Sequence, residues 1–224
     1  MYLQMFPVES GSGRQIGSFL LRPTLGVAAY AFVYSADDRT MSARPFLQLA
    51  QRFLDYLELG FAPSITGTPS LAKYELPPVA RFTASRFVAS LRLAKERLPH
   101  ELGELNLSNT PIIAAVAAIH FDDAGAHLVT AGAPVEMWRL RRDELTLLHS
   151  RRGDRAKNEA DLDPRAEDLA LEDGDIIGLG LLPAPDAAVG AAAAGAPVDV
   201  LLAHLVRLAE SSGLNGVLCR WSAS

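Results

Sequence analysis

The histidines and the single cysteine have the most specific chemistry in this chain, because zinc sites in proteins use these residue types. The histidines are His100, His120, His127, His149 and His204. None of them pairs at the i, i+4 spacing of a helix face, and none combines with Cys219 as zinc ligands would. His120 and His127 flank a predicted hairpin, where they could face one another and share a metal, or be ordinary strand-end residues. The pattern favours ordinary strand-end residues, and the apolar neighbours of Cys219 predict a packed core thiol.

Arginines are concentrated in one part of the chain. They are Arg139, Arg141, Arg142, Arg151, Arg152 and Arg155. A local basic patch of this kind could dock an acidic protein partner, or the charges could simply solvate a hairpin and its loop. A phosphate cradle is a weaker interpretation of the glycine-rich stretch GSGRQIG, because a strand is predicted after it, where such a cradle requires a helix.

The composition argues against several classes of function. The 224 residues are 49% hydrophobic, which is enough for a sizeable core, and the formal net charge is −5. This balance argues against non-specific nucleic-acid binding, which needs a basic excess. No apolar run approaches the roughly 20 residues that span a bilayer, no signal peptide is apparent, and one cysteine cannot form an internal disulfide. We therefore expect a cytoplasmic protein with neither a membrane nor a nucleic acid as its partner.

Strands and helices come in groups in the first half of the chain. The apolar runs RQIGSFLLRP and GVAAYAFVYS predict an antiparallel hairpin. Apolar residues at helical spacing predict one helix between Pro45 and Gly60 and a second from about Val79 to Leu98. The expected buried face of the first helix consists of Phe46, Leu49, Ala50, Phe53, Leu54 and Leu57.

Short apolar runs dominate the second half. IIAAVAAIHF and AHLVTAG meet across DDAG, a strong hairpin signal, and PVEMWRLR and ELTLLHS form a second pair across RD. A buried strand is expected from Ile176 to Leu182, in which Gly178 and Gly180 leave room for a close neighbour. A helix started by Pro197 and a last strand, NGVLCRW, follow. The segments 150–166 and 184–197 are expected to be flexible loops.

This grouping of strands and helices predicts α+β layers and argues against alternating βαβ units. No linker divides the strand groups, so we expect a single domain over residues 1–224.

Five short segments, in this order, carry a family resemblance. They are IGSFLL, FVYSADDRTMSARPFLQLA, HLVTAGAPVEMWRLRRDELTLL, LEDGDIIGLGLLP and ESSGLNGVLCRW. Together they resemble the motifs of the PPM-type (protein phosphatase 2C-like) serine/threonine phosphatases, in particular the bacterial branch that regulates anti-sigma-factor antagonists. Matching residues are Ala131, Gly132, Pro134, Gly174, Asp175 and Asn215. The resemblance covers roughly residues 10–221 and implies two stacked antiparallel β-sheets flanked by helix pairs, with a two-metal site at one end of the sandwich.

The resemblance also implies that four aspartates hold the two metal ions, because Mg²⁺ and Mn²⁺ need oxygen ligands. At the corresponding positions this chain has Ser18, Ser35, Leu182 and Leu214. Without carboxylates, two adjacent dications meet unrelieved repulsion and a dehydration cost, so no metal-activated hydroxide is available to attack a phosphoryl group. We therefore expect no bound metal and no catalytic residue. This favours a pseudophosphatase that acts as a protein-binding or regulatory module in bacterial signalling, with a partner that the sequence does not identify.

Two alternatives stay open. A divergent phosphatase acting on phosphoserine or phosphothreonine would bind Mn²⁺ or Mg²⁺ through carboxylates outside the family positions. The candidate residues for it are Asp37, Asp38, Asp175 and Asp186, with Arg14 as a phosphate contact and Asn215 as a retained site residue. In the other alternative the resemblance is accidental, and the chain is an unrelated α+β structural domain.

Overall fold

The computed structural model describes residues 2–8, 17–35, 43–61, 84–122, 125–132, 136–142, 144–150, 164–180 and 216–223, together with residues 200, 203 and 207. The described helices are α1 (Ala43–Phe61) and α2 (Ala84–Glu104), and Pro23–Leu25 form a short 3₁₀ turn. The described strands are β1 (Tyr2–Val8), β2 (Gly17–Arg22), β3 (Val27–Ser35), β4 (Ile112–Asp122), β5 (Gly125–Gly132), β6 (Glu136–Arg141), β7 (Glu144–Ser150), β8 (Arg165–Leu169), β9 (Ile176–Gly180) and β10 (Gly216–Ser222).

The strands form two antiparallel five-stranded sheets. One sheet has the order β1-β10-β9-β6-β7 and the other has the order β2-β3-β4-β5-β8. The predicted hairpins β2/β3, β4/β5 and β6/β7 are confirmed. However, the chain passes from one sheet to the other between β5 and β6, so the hairpins β4/β5 and β6/β7 belong to different sheets. The predicted α+β class with two antiparallel sheets is confirmed.

The central strands of the second sheet are apolar along their whole length because both of their faces are covered. In β3, Val27, Ala29, Ala31 and Val33 pack with the helices. The alternate residues Ala28, Tyr30 and Phe32 pack with residues of the other sheet, including Ile177 and Val217. A strand buried on both faces shows a continuous apolar run and loses the usual alternation of apolar and polar residues. Cys219 is fully buried in this inter-sheet cluster, as predicted, and burial raises the pKa of its thiol.

Helix α1 buries the six-residue face that its sequence predicts. Phe46, Leu49, Ala50, Phe53, Leu54 and Leu57 are all at most 5% exposed. They pack against α2 and the second sheet. Each of the large side chains contributes about 1.5–3 kcal/mol by leaving water, so this face anchors the helix.

Helix α2 continues six residues beyond the predicted end at Leu98 and passes through Pro99. Proline in a helix interior removes one backbone hydrogen bond and normally ends or kinks the helix. Here the last turns are held by contacts to α1, since Arg52 of α1 forms an ion pair with the buried Glu101, and the Tyr56 hydroxyl donates to Glu101 at 2.5 Å. Tertiary contacts therefore override the local signal. The predicted start at Val79 lies outside the described residues.

Two strands, β8 and β1, were not predicted from the sequence. Strand β8 lies partly within the stretch 150–166 that we expected to be a loop, and all but the last of its residues are exposed. Its polar sequence RAEDL has no apolar alternation, because little of this edge strand is buried on either face. Strand β1 is also an edge strand, which explains how it accommodates Pro7. The alternation of Leu3 and Met5, which pack on the inter-sheet cluster, was a usable signal for β1.

Strand β9 confirms the prediction that a close neighbour lies over Gly178. A Cβ atom at this position would lie 2.2 Å from the ring of Trp138 on the adjacent strand β6. The described part of the strand ends at Gly180, so the expected extension to Leu182 and the loop 184–197 lie outside the described residues. In the described part of the chain, no helix has the length and apolar character needed to cross a membrane.

Candidate functional site

The family resemblance directs attention to one end of the sandwich, which we call the Ser35 end. In the second sheet it contains the start of β2 and the last residue of β3, Ser35, which pairs with Ile112. In the first sheet it contains Gly180, which pairs with both Glu136 and Gly216. Only residues 133–135 connect Gly132 to Glu136, which limits their separation to about 15 Å. The two sheets therefore present these strand ends at the same end of the molecule.

Strand β2 presents Gly17, and not Ser18, to the space between the sheets. Phe19 packs on the inter-sheet cluster, whereas Leu20 packs with the helices, and strand alternation places Gly17 with Phe19. A Cβ atom at Gly17 would lie 2.4 Å from the Tyr30 hydroxyl oxygen. The phenol of Tyr30 is fully buried, which raises its pKa. An aromatic ring thus fills the space that a side chain at Gly17 would need, whereas Ser18, where the resemblance implies a metal-binding aspartate, belongs to the opposite face of β2.

The described residues at the Ser35 end do not fit a pair of Mg²⁺ or Mn²⁺ ions. Ser18 is half-buried and Ser35 is 7% exposed, and each offers a neutral hydroxyl where hard cations need carboxylates. Glu136 is buried here, but it alternates with the inward-facing Met137 and so belongs to the outer face of its sheet. The remaining candidates lie outside the described residues; they are Arg14, Asp37, Asp38, Leu182, Asp186, Leu214 and Asn215.

Asp175, a candidate ligand in the phosphatase alternative, lies beyond the other end of β9. Its side chain is 1% exposed. Arg141 donates from Nε and Nη2 to the two carboxylate oxygens at 2.9 and 2.7 Å, and the backbone N–H of Glu172 donates to Oδ2 at 2.9 Å. The backbone N–H of Trp221 donates to the Asp175 carbonyl. Asp175 thus joins the ends of β6 and β10 to the turn before β9.

The predicted basic patch is divided by these contacts. Arg141 is 20% exposed and is paired with Asp175 and Glu172, and its hydrogen bond to Asp175 helps raise its pKa. Arg139 donates weakly to the Ala170 carbonyl and to a threonine hydroxyl. Arg142 is 84% exposed and lies 3.6 Å from Glu172. Its charge is the one available to solvent among these three, and Arg151, Arg152 and Arg155 lie outside the described residues.

A cluster of histidines and aspartates lies at the end of the second sheet opposite to Ser35, which we call the His127 end. His120 on β4 pairs directly with His127 on β5, and His127 pairs with Asp168 on β8. The two imidazole rings stack with centroids 5.9 Å apart. His127 Nδ1 lies 2.6 Å from Asp168 Oδ1, and Nε2 lies 2.9 Å from Asp122 Oδ2. The predicted facing of the two histidines is therefore present.

The two histidines of this cluster differ in basicity. Burial lowers the pKa of His120 to about 4, despite the opposing effect of Asp122. Desolvation also acts to lower the pKa of His127, but its hydrogen bonds to Asp168 and Asp122 outweigh desolvation, and the net shift is upward. Burial thus disfavours the protonated form of His120, whereas the carboxylates beside the two ring nitrogens of His127 favour its protonated form.

Comparison with known proteins identifies the fold. No protein-family model matches the chain, and no curated protein matches it. Among solved structures, PppA, a regulatory component of the type VI secretion system (T6SS) in Pseudomonas aeruginosa, has a TM-score of 0.65 at 14% identity, with 98% of each chain covered. The catalytic domain of the serine/threonine protein phosphatase PstP with two manganese ions has a TM-score of 0.63 at 15% identity, covering 97% of this chain and 96% of that one. A Mycobacterium tuberculosis PstP structure has a TM-score of 0.63 at 13% identity, covering 99% and 98%. The chain therefore has the fold of the PPM-type serine/threonine phosphatases.

Proposed function

We propose that this chain is a phosphatase-fold protein without phosphatase activity, which acts as a protein-binding or regulatory module in bacterial signalling. The observation that carries the proposal is the side-chain chemistry at the four positions where the resemblance implies metal-binding aspartates. Those positions hold Ser18, Ser35, Leu182 and Leu214. Two hydroxyls and two isobutyl groups provide no negative charge to balance two dications.

The packing around these positions supports the same interpretation. The Tyr30 ring occupies the space beside Gly17, so the inter-sheet face of β2 has no room for a side chain at this position. Both apolar clusters, one between the sheets and one under the helices, are nevertheless continuous. A chain that keeps the fold of an enzyme while lacking its ligands favours a role for its surface, because function belongs to sites and not to folds.

The proposed partner is a protein with an acidic contact surface. Arg142 is 84% exposed and extends from the β6/β7 hairpin, and Arg151, Arg152 and Arg155 follow β7 in the sequence. An exposed guanidinium group such as that of Arg142 attracts carboxylates over about a Debye length and increases the rate of association. The paired Arg141 is excluded from this surface because Asp175 and Glu172 satisfy its charge.

The experiment that tests the proposal is a phosphatase assay on the full chain. Hydrolysis of p-nitrophenyl phosphate and of a phosphothreonine peptide is measured with millimolar Mn²⁺ or Mg²⁺, and an active phosphatase of the same fold serves as the positive control. We expect the rate to equal that of the buffer blank. Metal-dependent turnover that Asp38→Ala abolishes would overturn the proposal.

The divergent phosphatase is the second candidate, and a specific observation favours it. One structure of the same fold was solved with two manganese ions. Of the four candidate carboxylates, Asp37, Asp38 and Asp186 remain, because Asp175 is paired with Arg141. The same assay with Asp37→Ala, Asp38→Ala and Asp186→Ala separates the candidates, because an enzyme that uses these ligands loses turnover in at least one variant.

A further inference from the structure

We propose that His120, Asp122 and His127 bind one divalent transition-metal ion, with Zn²⁺ the best-fitting metal, at the His127 end of the second sheet. This site goes beyond the proposed function and does not depend on it. Within the described residues, these three form the one group of histidine, cysteine or acidic side chains placed to share a metal ion.

Strand pairing brings the three side chains together. His120 and His127 are directly opposite one another on β4 and β5, and Asp122 follows His120 by two residues, so all three belong to the same face of the hairpin. Eight residues along β4 separate His120 from Ile112, which pairs with Ser35. At about 3.3 Å per residue that is about 26 Å, so the cluster is remote from the positions at which the family resemblance implies metals.

The ligand atoms are already near coordination geometry. One atom from each of the three residues lies within 4.8 Å of the others. His127 Nε2 and Asp122 Oδ2 are 2.9 Å apart. In a tetrahedral zinc site with bonds of about 2.0–2.1 Å, neighbouring ligand atoms are about 3.3 Å apart. To reach that spacing, the more distant ligand atoms must approach one another by at most about 1.5 Å.

A second carboxylate holds the central histidine in the orientation that a metal needs. Asp168 Oδ1 lies 2.6 Å from His127 Nδ1 and accepts its N–H, which directs Nε2 toward Asp122 and His120. Metal-binding histidines commonly have this kind of carboxylate partner on the non-ligating nitrogen. Asp122 is held similarly, because its Oδ1 accepts the backbone N–H of Gly125 at 3.1 Å and Oδ2 is directed toward His127.

The donor set selects the class of metal. Two imidazole nitrogens and one carboxylate oxygen suit Zn²⁺, Ni²⁺, Co²⁺ or Fe²⁺, whereas Mg²⁺ prefers oxygen ligands and retains its water. Asp122 and Asp168 together supply two negative charges, which balance a dication bound by neutral imidazoles. Three protein ligands leave a fourth position for water or for a ligand from another molecule. A bound ion would also join the edge strand β8 to β5 through Asp168 and His127.

The test uses the full untagged chain, freed of metal by chelator dialysis, and titrates it calorimetrically with ZnCl₂ and, in a separate run, with MgCl₂. We expect one Zn²⁺ per chain, bound about 100-fold or more tightly than Mg²⁺. Co²⁺ substitution should give visible absorption bands of a low-coordinate site with nitrogen ligands. Each of the variants His127→Gln and Asp122→Asn should abolish the stoichiometric binding of Zn²⁺ and of Co²⁺.

Two further variants make the result interpretable. His100→Gln removes a histidine that is 62% exposed on α2, and it should leave zinc binding unchanged. Asp168→Asn changes a side chain that is 82% exposed, so the variant should fold normally and bind zinc about 10- to 100-fold more weakly. If His127→Gln does not fold, the zinc affinity of Asp168→Asn tests the proposed site instead. Absence of zinc binding, or binding that survives both His127→Gln and Asp122→Asn, overturns the site and leaves the cluster as a hydrogen-bonded histidine between two carboxylates.

Discussion

Replacing Asp175 by alanine should strongly destabilise the fold, because this carboxylate joins three segments of the first sheet. It is 1% exposed and accepts two hydrogen bonds from Arg141 and one from the backbone of Glu172. Its removal leaves the Arg141 guanidinium with the Glu172 carboxylate at 2.7 Å and the Ala170 carbonyl at 2.9 Å as its remaining partners.

The expected loss follows from the burial of the pair. Removing one partner of a buried ion pair typically costs about 3–5 kcal/mol. Arg141 is 20% exposed and keeps Glu172, so we expect the lower end of this range, about 3 kcal/mol. For a chain of this length, that loss corresponds to a fall in melting temperature of about 6–12 °C. The matched control is Arg142→Ala. The Arg142 side chain is 84% exposed and lies 3.6 Å from Glu172, so its removal should lower the free energy of unfolding by at most about 0.5 kcal/mol.

Urea unfolding followed by circular dichroism measures these differences. A double-mutant cycle of Arg141→Ala and Asp175→Ala should give a coupling free energy above about 1 kcal/mol. Millimolar Mn²⁺ should shift the unfolding midpoint of the wild type and of Asp175→Ala by the same amount, because Arg141 occupies both Asp175 oxygens and leaves neither for a metal ion. The reasoning is refuted if Asp175→Ala costs no more than Arg142→Ala, or if Mn²⁺ stabilises the wild-type chain and not the Asp175→Ala variant.

The remaining predictions concern the four positions where the resemblance implies metal ligands, the packing of strands, and the pH dependence of stability. Leu182→Asp alone should restore neither Mn²⁺ binding nor phosphatase turnover, because the other three family positions still lack carboxylates; calorimetry and the phosphatase assay check this. Gly178→Ala should cost about 1–3 kcal/mol in urea unfolding, because its Cβ would lie 2.2 Å from the Trp138 ring. Gly103→Ala, whose nearest neighbour is 3.8 Å away, should be neutral or slightly stabilising. In the metal-free protein, the His120 pKa of about 4 lies below its value in the unfolded chain. Neutral His120 therefore makes its full contribution to the free energy of unfolding above pH 6.5, and this contribution is lost as the pH falls toward 4. The loss is about 3 kcal/mol, and unfolding at pH 7 and pH 4.5 should show a smaller difference in His120→Gln than in the wild type.

Much of the fold is predictable because a buried face requires apolar residues at the spacing of its helix or strand. The α1 face, from Phe46 to Leu57, follows the helical period closely and is buried as predicted. The β4/β5 hairpin was predictable from two apolar runs around a turn. Edge strands are harder, since β8 is almost wholly exposed and its polar residues satisfy no apolar pattern. The continuation of α2 through Pro99 depends on Arg52 and Glu101, which are far apart in sequence.

The candidate sites were less predictable because their contacts join residues that are distant in the sequence. The facing of His120 and His127 could be inferred from the hairpin, but the contribution of Asp168 depends on β8, a strand that the sequence does not reveal. The local pattern around Asp175 indicated a turn, whereas its partner Arg141 lies 34 residues away. The role of Gly17 depends on the ring of Tyr30 on the neighbouring strand. Each of these contacts is set by strand register, which a single sequence specifies only through the fold.

The most direct test of the central claim is a titration with Mn²⁺ combined with a turnover measurement on the same sample. It is performed on the wild-type chain and on His127→Gln, so that any uptake at the His127 end is separated from uptake at the Ser35 end. We predict that His127→Gln binds no Mn²⁺ and that neither protein hydrolyses a phosphothreonine peptide. Binding of Mn²⁺ by His127→Gln at millimolar or lower concentration, together with turnover that Asp38→Ala removes, would contradict the proposal that this phosphatase-fold chain has no phosphatase activity.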